Sequence, residues 1–243
     1  MSLNSPSLKS TVIKQSKYKW MSYKSAFQSL IVVQIISILF TLLGAASGTS
    51  SFGLLQLHIT YSTGDVILFF TFIWAFFTGL SIDRKENRLA DQIFVTNQVS
   101  RHLANIVFLI LINLVGMVTL VMAGFAIKLI IFWYKGPDQF LLLSSYSTSE
   151  LLLVLGMVFL YLTLLSSIGY AIGSIVRLSK VVKVVVITTG VALVFLGDER
   201  VGQIISFYGS ESSIVWFIGK VLVSSFLAFG LAYAIARQSE VRS

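Results

Sequence analysis

A chain of 243 residues with 56% apolar and only 12% charged residues departs from the roughly 25% charge of soluble globular proteins and reads as an integral membrane protein. Its longest polar stretches fall short of the ~50 residues an independent domain needs, so no sizeable water-soluble domain is expected. Its net charge of +8 is a topology signal and not a nucleic-acid footprint. The absence of cysteine removes disulfides, thiolate nucleophiles and cysteine-based metal sites. The expectation is an all-α polytopic domain covering the whole chain: an arm at 1–26, a bundle at 27–236 and a tail at 237–243.

In chain order, the arm places Val12, Ile13, Trp20, Tyr23 and Phe27 at near-helical spacing with Lys9, Lys14, Lys17 and Lys24 in the intervals. That pattern fits a basic amphipathic helix in the headgroup layer; a merely basic topogenic tail is the alternative. Phe27 to Ala46 is the first run able to cross a bilayer, which takes about 20 apolar residues. It is too long for the 7 to 15 residues of a secretory h-region, so no cleavage is expected. The second run, Val66 to Ile82, is short. After it comes a charged island, Asp83 to Asn105, whose middle aligns Leu89 with Ile93 and Ala90 with Phe94 one helical turn apart, edged by Glu86, Arg88, Asp91 and Gln92. This is either a short amphipathic helix suited to the groove of a soluble partner or a solvated loop whose apolar residues dip into lipid.

The remaining runs are Ile106 to Ile127, the long Leu151 to Val176, the short Val181 to Leu196, and Ile214 to Ala236, making six in all. Basic residues orient them. Lys9, Lys14, Lys17, Lys19 and Lys24, Arg84, Lys85, Arg88 and Arg101, Arg177, Lys180 and Lys183, and Arg237 and Arg242 fall on one face, 14 of the 18. Lys128, Lys135, Arg200 and Lys220 fall on the other, beside Asp65, Asp138, Glu150, Asp198, Glu199 and Glu211. The positive-inside rule puts both termini in the cytoplasm.

The cluster Arg84-Lys85-Glu86-Asn87-Arg88 leaving the second run, the short helix, and Thr96-Asn97-Gln98-Val99-Ser100-Arg101 entering the third resemble the ABC-2 type transporter permeases. That family has Glu-Gly after the basic residues and Thr-Pro-Val-Ser-Arg at the turn, where this chain has Glu86-Asn87 and Asn97-Gln98. The resemblance extends to the basic arm, the six spans and an outer amphipathic hairpin, here matched by Asp198 to Ser213. It implies a permease subunit in the bacterial-type cytoplasmic membrane, paired with a second permease chain, identical or homologous. Two copies of a cytosolic ABC ATPase would supply ATP and Mg. The coupling helix would then comprise Glu86, Arg88, Leu89, Ala90, Ile93 and Phe94. No G-x-x-x-x-G-K-[ST] loop occurs in the chain, which binds no cofactor of its own by that route.

Within the spans, Gln34 and Asn113 are placed as interhelical amides. Gly169 with Gly173, Ala228 with Ala232, and Gly44 with Gly48 allow close helix approach. Lys220 is read as snorkelling to the outer surface, with a substrate contact or pairing to Glu150 or Glu211 as the alternative. His58 and His102 lack companions at ligand spacing, so no metal site is expected. An intramembrane enzyme would need an activated nucleophile or paired acids; no acid lies within any of the six runs and no H-E-x-x-H occurs. An ATP-independent channel or membrane-anchored structural protein remains the rival class. The aromatic-rich, charge-poor spans favour an amphipathic or lipophilic cargo such as a peptide, antibiotic or lipid-like molecule, and the family resemblance favours export.

Overall fold

A computed structural model describes residues 7–43, 65–82, 98–135, 148–177, 179, 181–186, 188, 199–209 and 213–240. Among these residues the regular structure is entirely helical. The principal helices are α1 (Leu8–Ser22), α2 (Lys24–Leu42), α3 (Asp65–Ile82), α4 (Gln98–Lys135), α5 (Thr148–Val176), α6 (Glu199–Gly209) and α7 (Ile214–Glu240). Among the described residues, four segments are long and apolar enough to cross a membrane: Lys24–Leu42, Gln98–Ile130, Ser149–Val176 and Ile214–Arg237. The apolar Val66–Ile82 stretch is shorter; at 1.5 Å per residue α3 spans about 27 Å, just under the hydrocarbon thickness of about 30 Å.

Large apolar side chains point away from the bundle, among them Ile31, Val32 and Leu39 on α2, Met122 and Leu129 on α4, and Trp216 and Phe226 on α7. A surface this apolar is stable against lipid and not against water. The chain is a multi-pass helical membrane protein.

Side-chain contacts fix the helix directions. Phe40 stacks near Phe70 while Trp74 Nε1 donates to the Ala26 carbonyl, so α2 and α3 are antiparallel. Phe72 meets Tyr161, and further along Leu80 meets Gly173, so α3 and α5 are parallel. Asn105 reaches Tyr170 and Asn113 reaches Ser166, making α4 antiparallel to α5. Phe217 packs with Met157 and Phe229 with Tyr170, so α7 runs parallel to α5. One end of the bundle, the arm end, therefore gathers α1, the start of α2, the end of α3, the start of α4 and the ends of α5 and α7.

The closest interface is the α3–α5 seam. A Cβ on Gly169 would overlap the Phe76 carbonyl oxygen, one on Gly173 would lie 2.7 Å from the Leu80 carbonyl oxygen, and one on Gly79 would overlap that of Ser166. Three glycines thus let two backbones meet directly, which replaces missing hydrophobic drive in lipid with close packing. Trp74 is the second organiser. It is buried, its indole N–H donates to Ala26 O at 3.2 Å and Ser29 Oγ at 3.1 Å, and its ring rests where a Cβ on Gly116 would come within 2.9 Å.

The arm helix begins at Ser7, whose hydroxyl accepts from Ser10 N at 3.3 Å and so caps α1. It packs against α4. The face it buries is Gln15, Ser16 and Lys19, whereas Ile13, Trp20 and Met21 are exposed. Of the apolar series read from the sequence, Tyr23 is buried and Val12 and Phe27 are half-buried. The buried side of α1 is thus polar, and its exposed surface mixes Lys9, Lys14 and Lys17 with Ile13, Trp20 and Met21.

Several expectations fall outside the described residues: the 83–97 part of the island with Glu86, Arg88, Leu89, Ala90, Ile93 and Phe94, the Gly44–Gly48 pair, His58, and most of the fifth run, of which 181–186 is helical.

Candidate functional site at the arm end

The arm end concentrates buried polar side chains. His102 Nδ1 lies 3.0 Å from the Tyr170 hydroxyl, and Asn105 Nδ2 donates to the same oxygen at 3.1 Å. The imidazole stacks on Tyr170 at 5.5 Å and meets the Tyr233 ring at 5.2 Å. Three helices, α4, α5 and α7, are joined through one phenol and one imidazole. Since Asn105 donates, the Tyr170 oxygen retains its own proton for His102 Nδ1 when the imidazole is neutral and protonated on Nε2.

Beside this group, α1 contributes Lys19, only 1% exposed. Its ammonium donates to the Tyr23 hydroxyl at 3.4 Å, and that hydroxyl donates to the Ile82 carbonyl at 3.5 Å. Tyr23 also packs against Phe108 of α4 at 5.0 Å. Gln15 Oε1, Ser16 Oγ and Asn105 Oδ1 are buried with no hydrogen bond to the described residues. Interiors rarely tolerate that unless such groups serve a purpose or meet solvent.

Midway along the bundle, the two amides read from the sequence each bridge a helix pair. Gln34 Nε2 donates to Thr119 Oγ1 at 3.0 Å, joining α2 to α4, and Asn113 Nδ2 donates to Ser166 Oγ at 2.8 Å, joining α4 to α5. Gly169 and Gly173 lie in the α3–α5 seam. Ala232 is fully buried, and Ala228 is half-buried against the same core cluster.

At the far end, Lys220 sits 4.0 Å above the Phe207 ring and donates to the Phe207 carbonyl at 3.4 Å, tying α7 to α6. The Tyr161 hydroxyl donates to the Tyr208 carbonyl at 2.8 Å, and Tyr208 and Ser224 share a hydrogen bond at 2.7 Å. Helix α6 is thereby fastened across α5 and α7.

Sequence reasoning passes over Lys19, Tyr170, Asn105 and Gly79. Lys19 is one of five arm lysines and nothing local distinguishes it. Gly79 stands one turn after the buried Ala75, a small-residue pair the sequence does offer; its counterparts across the seam are on α5. A usable signal exists for the α4 pair, since His102 and Asn105 stand one turn apart just before an apolar run.

Among the described residues no group of three or more His, Asp or Glu side chains is placed to hold a metal ion. The arrangement joins α1 and the ends of four bundle helices through hydrogen bonds and stacked rings. No protein-family model, no characterised protein and no solved structure matches the chain.

Proposed function

We propose that this chain is the permease subunit of an ATP-driven transporter of ABC-2 type, with six spans, both termini cytoplasmic and the arm end facing the cytoplasm. It exports an amphipathic or lipophilic molecule across a bacterial-type cytoplasmic membrane, alongside a second permease chain and above two copies of a cytosolic ATPase. ATP and Mg belong to that partner, and the chain itself is not an enzyme.

The observation that carries this reading is where the charged island is rooted. It leaves α3 at Ile82 and enters α4 at Gln98, both at the end that gathers the arm and the last turns of α5 and α7. A partner pushing on the 83–97 segment therefore acts on two bundle helices at once, at the end where α1 is attached. The ridge of Leu89, Ile93, Ala90 and Phe94, with Glu86 and Arg88 at its edges, fits the docking groove of a soluble ATPase. Nucleotide-driven closure then reaches the bundle as rigid-body motion.

Six spans are supported by helix direction. Because α5 and α7 run parallel, the chain has to return to the far end between Arg177 and α6, which is fastened there. The 21 residues from 178 to 198 correspond to about 32 Å at the rise of a helix, enough for the hydrocarbon core. The apolar run Val181 to Leu196 lies within that stretch.

Purification of the tagged chain in gentle detergent, from a host carrying its neighbouring genes, tests the reading. Co-elution of an ATPase with measurable hydrolysis is expected. A pure oligomer that is inert to ATP moves the assignment to a channel or a membrane-anchored structural protein.

A further inference from the structure

We propose that Lys19 and Tyr23 form a joint between α1 and the end of α3, and that they are positioning residues through which displacement of the 83–97 segment reaches the arm. The proposal rests on the permease reading for its driving force and on the geometry of the arm end for its parts.

Lys19 carries a charge and is nonetheless only 1% exposed. An ammonium is buried only where dipoles or charges compensate its lost hydration. Here it donates to the Tyr23 hydroxyl at 3.4 Å and lies 5.1 Å from the ring centroid. The phenol passes the hydrogen bond on to the Ile82 carbonyl at 3.5 Å. Ile82 is the last described residue of α3. The phenol therefore ties the ammonium of α1 to a backbone carbonyl of α3, at the root of the island.

Tyr23 is also the break between α1 and α2. Its φ of −87° and ψ of 46° interrupt the helix, and its N–H bonds back to the Lys19 carbonyl at 2.9 Å. Its ring packs on Phe108 of α4 at 5.0 Å. One side chain thus touches the ends of α1 and α3 and the first turns of α4, from the hinge point between arm and membrane. The residue after Ile82 is Asp83, the first of the island. Movement at the root of the island must either carry Tyr23 and Lys19 with it or break their contacts.

The absence of native cysteine permits spin labels at chosen positions alone. Labels at Ile13→Cys on α1 and Phe77→Cys on α3, both exposed positions, report the arm-to-α3 distance by pulsed dipolar spectroscopy. The sample is the complex with its co-purified ATPase in nanodiscs, nucleotide-free and after trapping with ATP and vanadate. A narrow distribution that shifts on trapping is expected in the parent. Lys19→Met and Tyr23→Phe are expected to broaden it and abolish the shift, and Lys19→Arg to restore both, which a purely space-filling role would not require. An unchanged shift in both Lys19→Met and Tyr23→Phe overturns the proposal. Tyr23→Phe keeps the ring packing, so it remains informative if Lys19→Met misfolds. If no ATPase co-purifies, the permease reading fails by itself, and the nucleotide-free distributions still judge the joint: broader in both variants upholds it, equal widths overturn it.

Discussion

The two ends of the bundle are held together differently. At the arm end an ammonium, two phenols and an amide are buried between helices, with a half-buried imidazole beside them. At the far end Ile67, Ala123 and Ile127 close one side with apolar packing, while Tyr161, Tyr208 and Ser224 tie α6 down on the other. Between them the α3–α5 seam is backbone against backbone. Where three glycines bring backbone against backbone, the seam has little room to rearrange, whereas hydrogen-bonded long side chains can exchange partners. The contrast assigns rigidity to the α3–α5 pair and adjustability to the arm end.

The largest expected effect is all-or-none and tests whether the ends face opposite compartments. A single cysteine replacing Ser213, just before α7, should react with a membrane-impermeant maleimide in intact cells. One replacing Ser7 should react only after lysis. Labelling of both from the same side breaks the topology on which the contrast depends.

Gly169→Val comes next. Its side chain would be forced into the α3 backbone, and overpacking of this kind costs about 1–3 kcal/mol or more. A lowered melting temperature in detergent is expected, with Gly219→Val as control because a Cβ there meets nothing within 4 Å. Equal stability of the two variants would remove the rigid seam from the account.

Tyr170→Phe strips the hydroxyl shared by His102 and Asn105 and leaves a buried amide donor without it, a loss of about 1–3 kcal/mol. It should lower thermal stability less than Gly169→Val, since no backbone has to move. Asn113→Ala is expected to be the mildest, about 0.6 kcal/mol by analogy with measured interhelical bonds in membranes. Ser166 Oγ keeps its bond to the Thr163 carbonyl at 3.1 Å. A larger loss for Asn113→Ala than for Tyr170→Phe would place the critical polar contact midway along the bundle and not at the arm end.

Much of the helical framework is legible in the sequence where an apolar run meets charge abruptly. The fourth run ends at Val176 against Arg177, and α5 ends at that same residue. The third run is a different case. Ile106 to Ile127 marks the apolar part, but α4 extends from Gln98 to Lys135, because Val99, Leu103 and Ala104 continue the helical spacing and Lys128 lies where it can reach the surface. Hydropathy reports the membrane, and a helix need not stop there. The arm-end cluster is less legible because it is tertiary: Lys19 becomes a buried cation only when α1 packs onto the bundle, and Tyr170 acquires its partners from a helix 65 residues away in sequence. Gly79 likewise gains its meaning from Ser166 on a separate helix.

The central claim is that a cytosolic ATPase drives this bundle through the 83–97 segment, and the most direct measurement is ATPase recovery with the double substitution Leu89→Asp and Ile93→Asp. Membrane insertion, judged by the same cysteine-labelling pattern as the parent, should be retained while the ATPase and its hydrolytic activity disappear from the purified material. Recovery of the ATPase at parental levels would contradict the account.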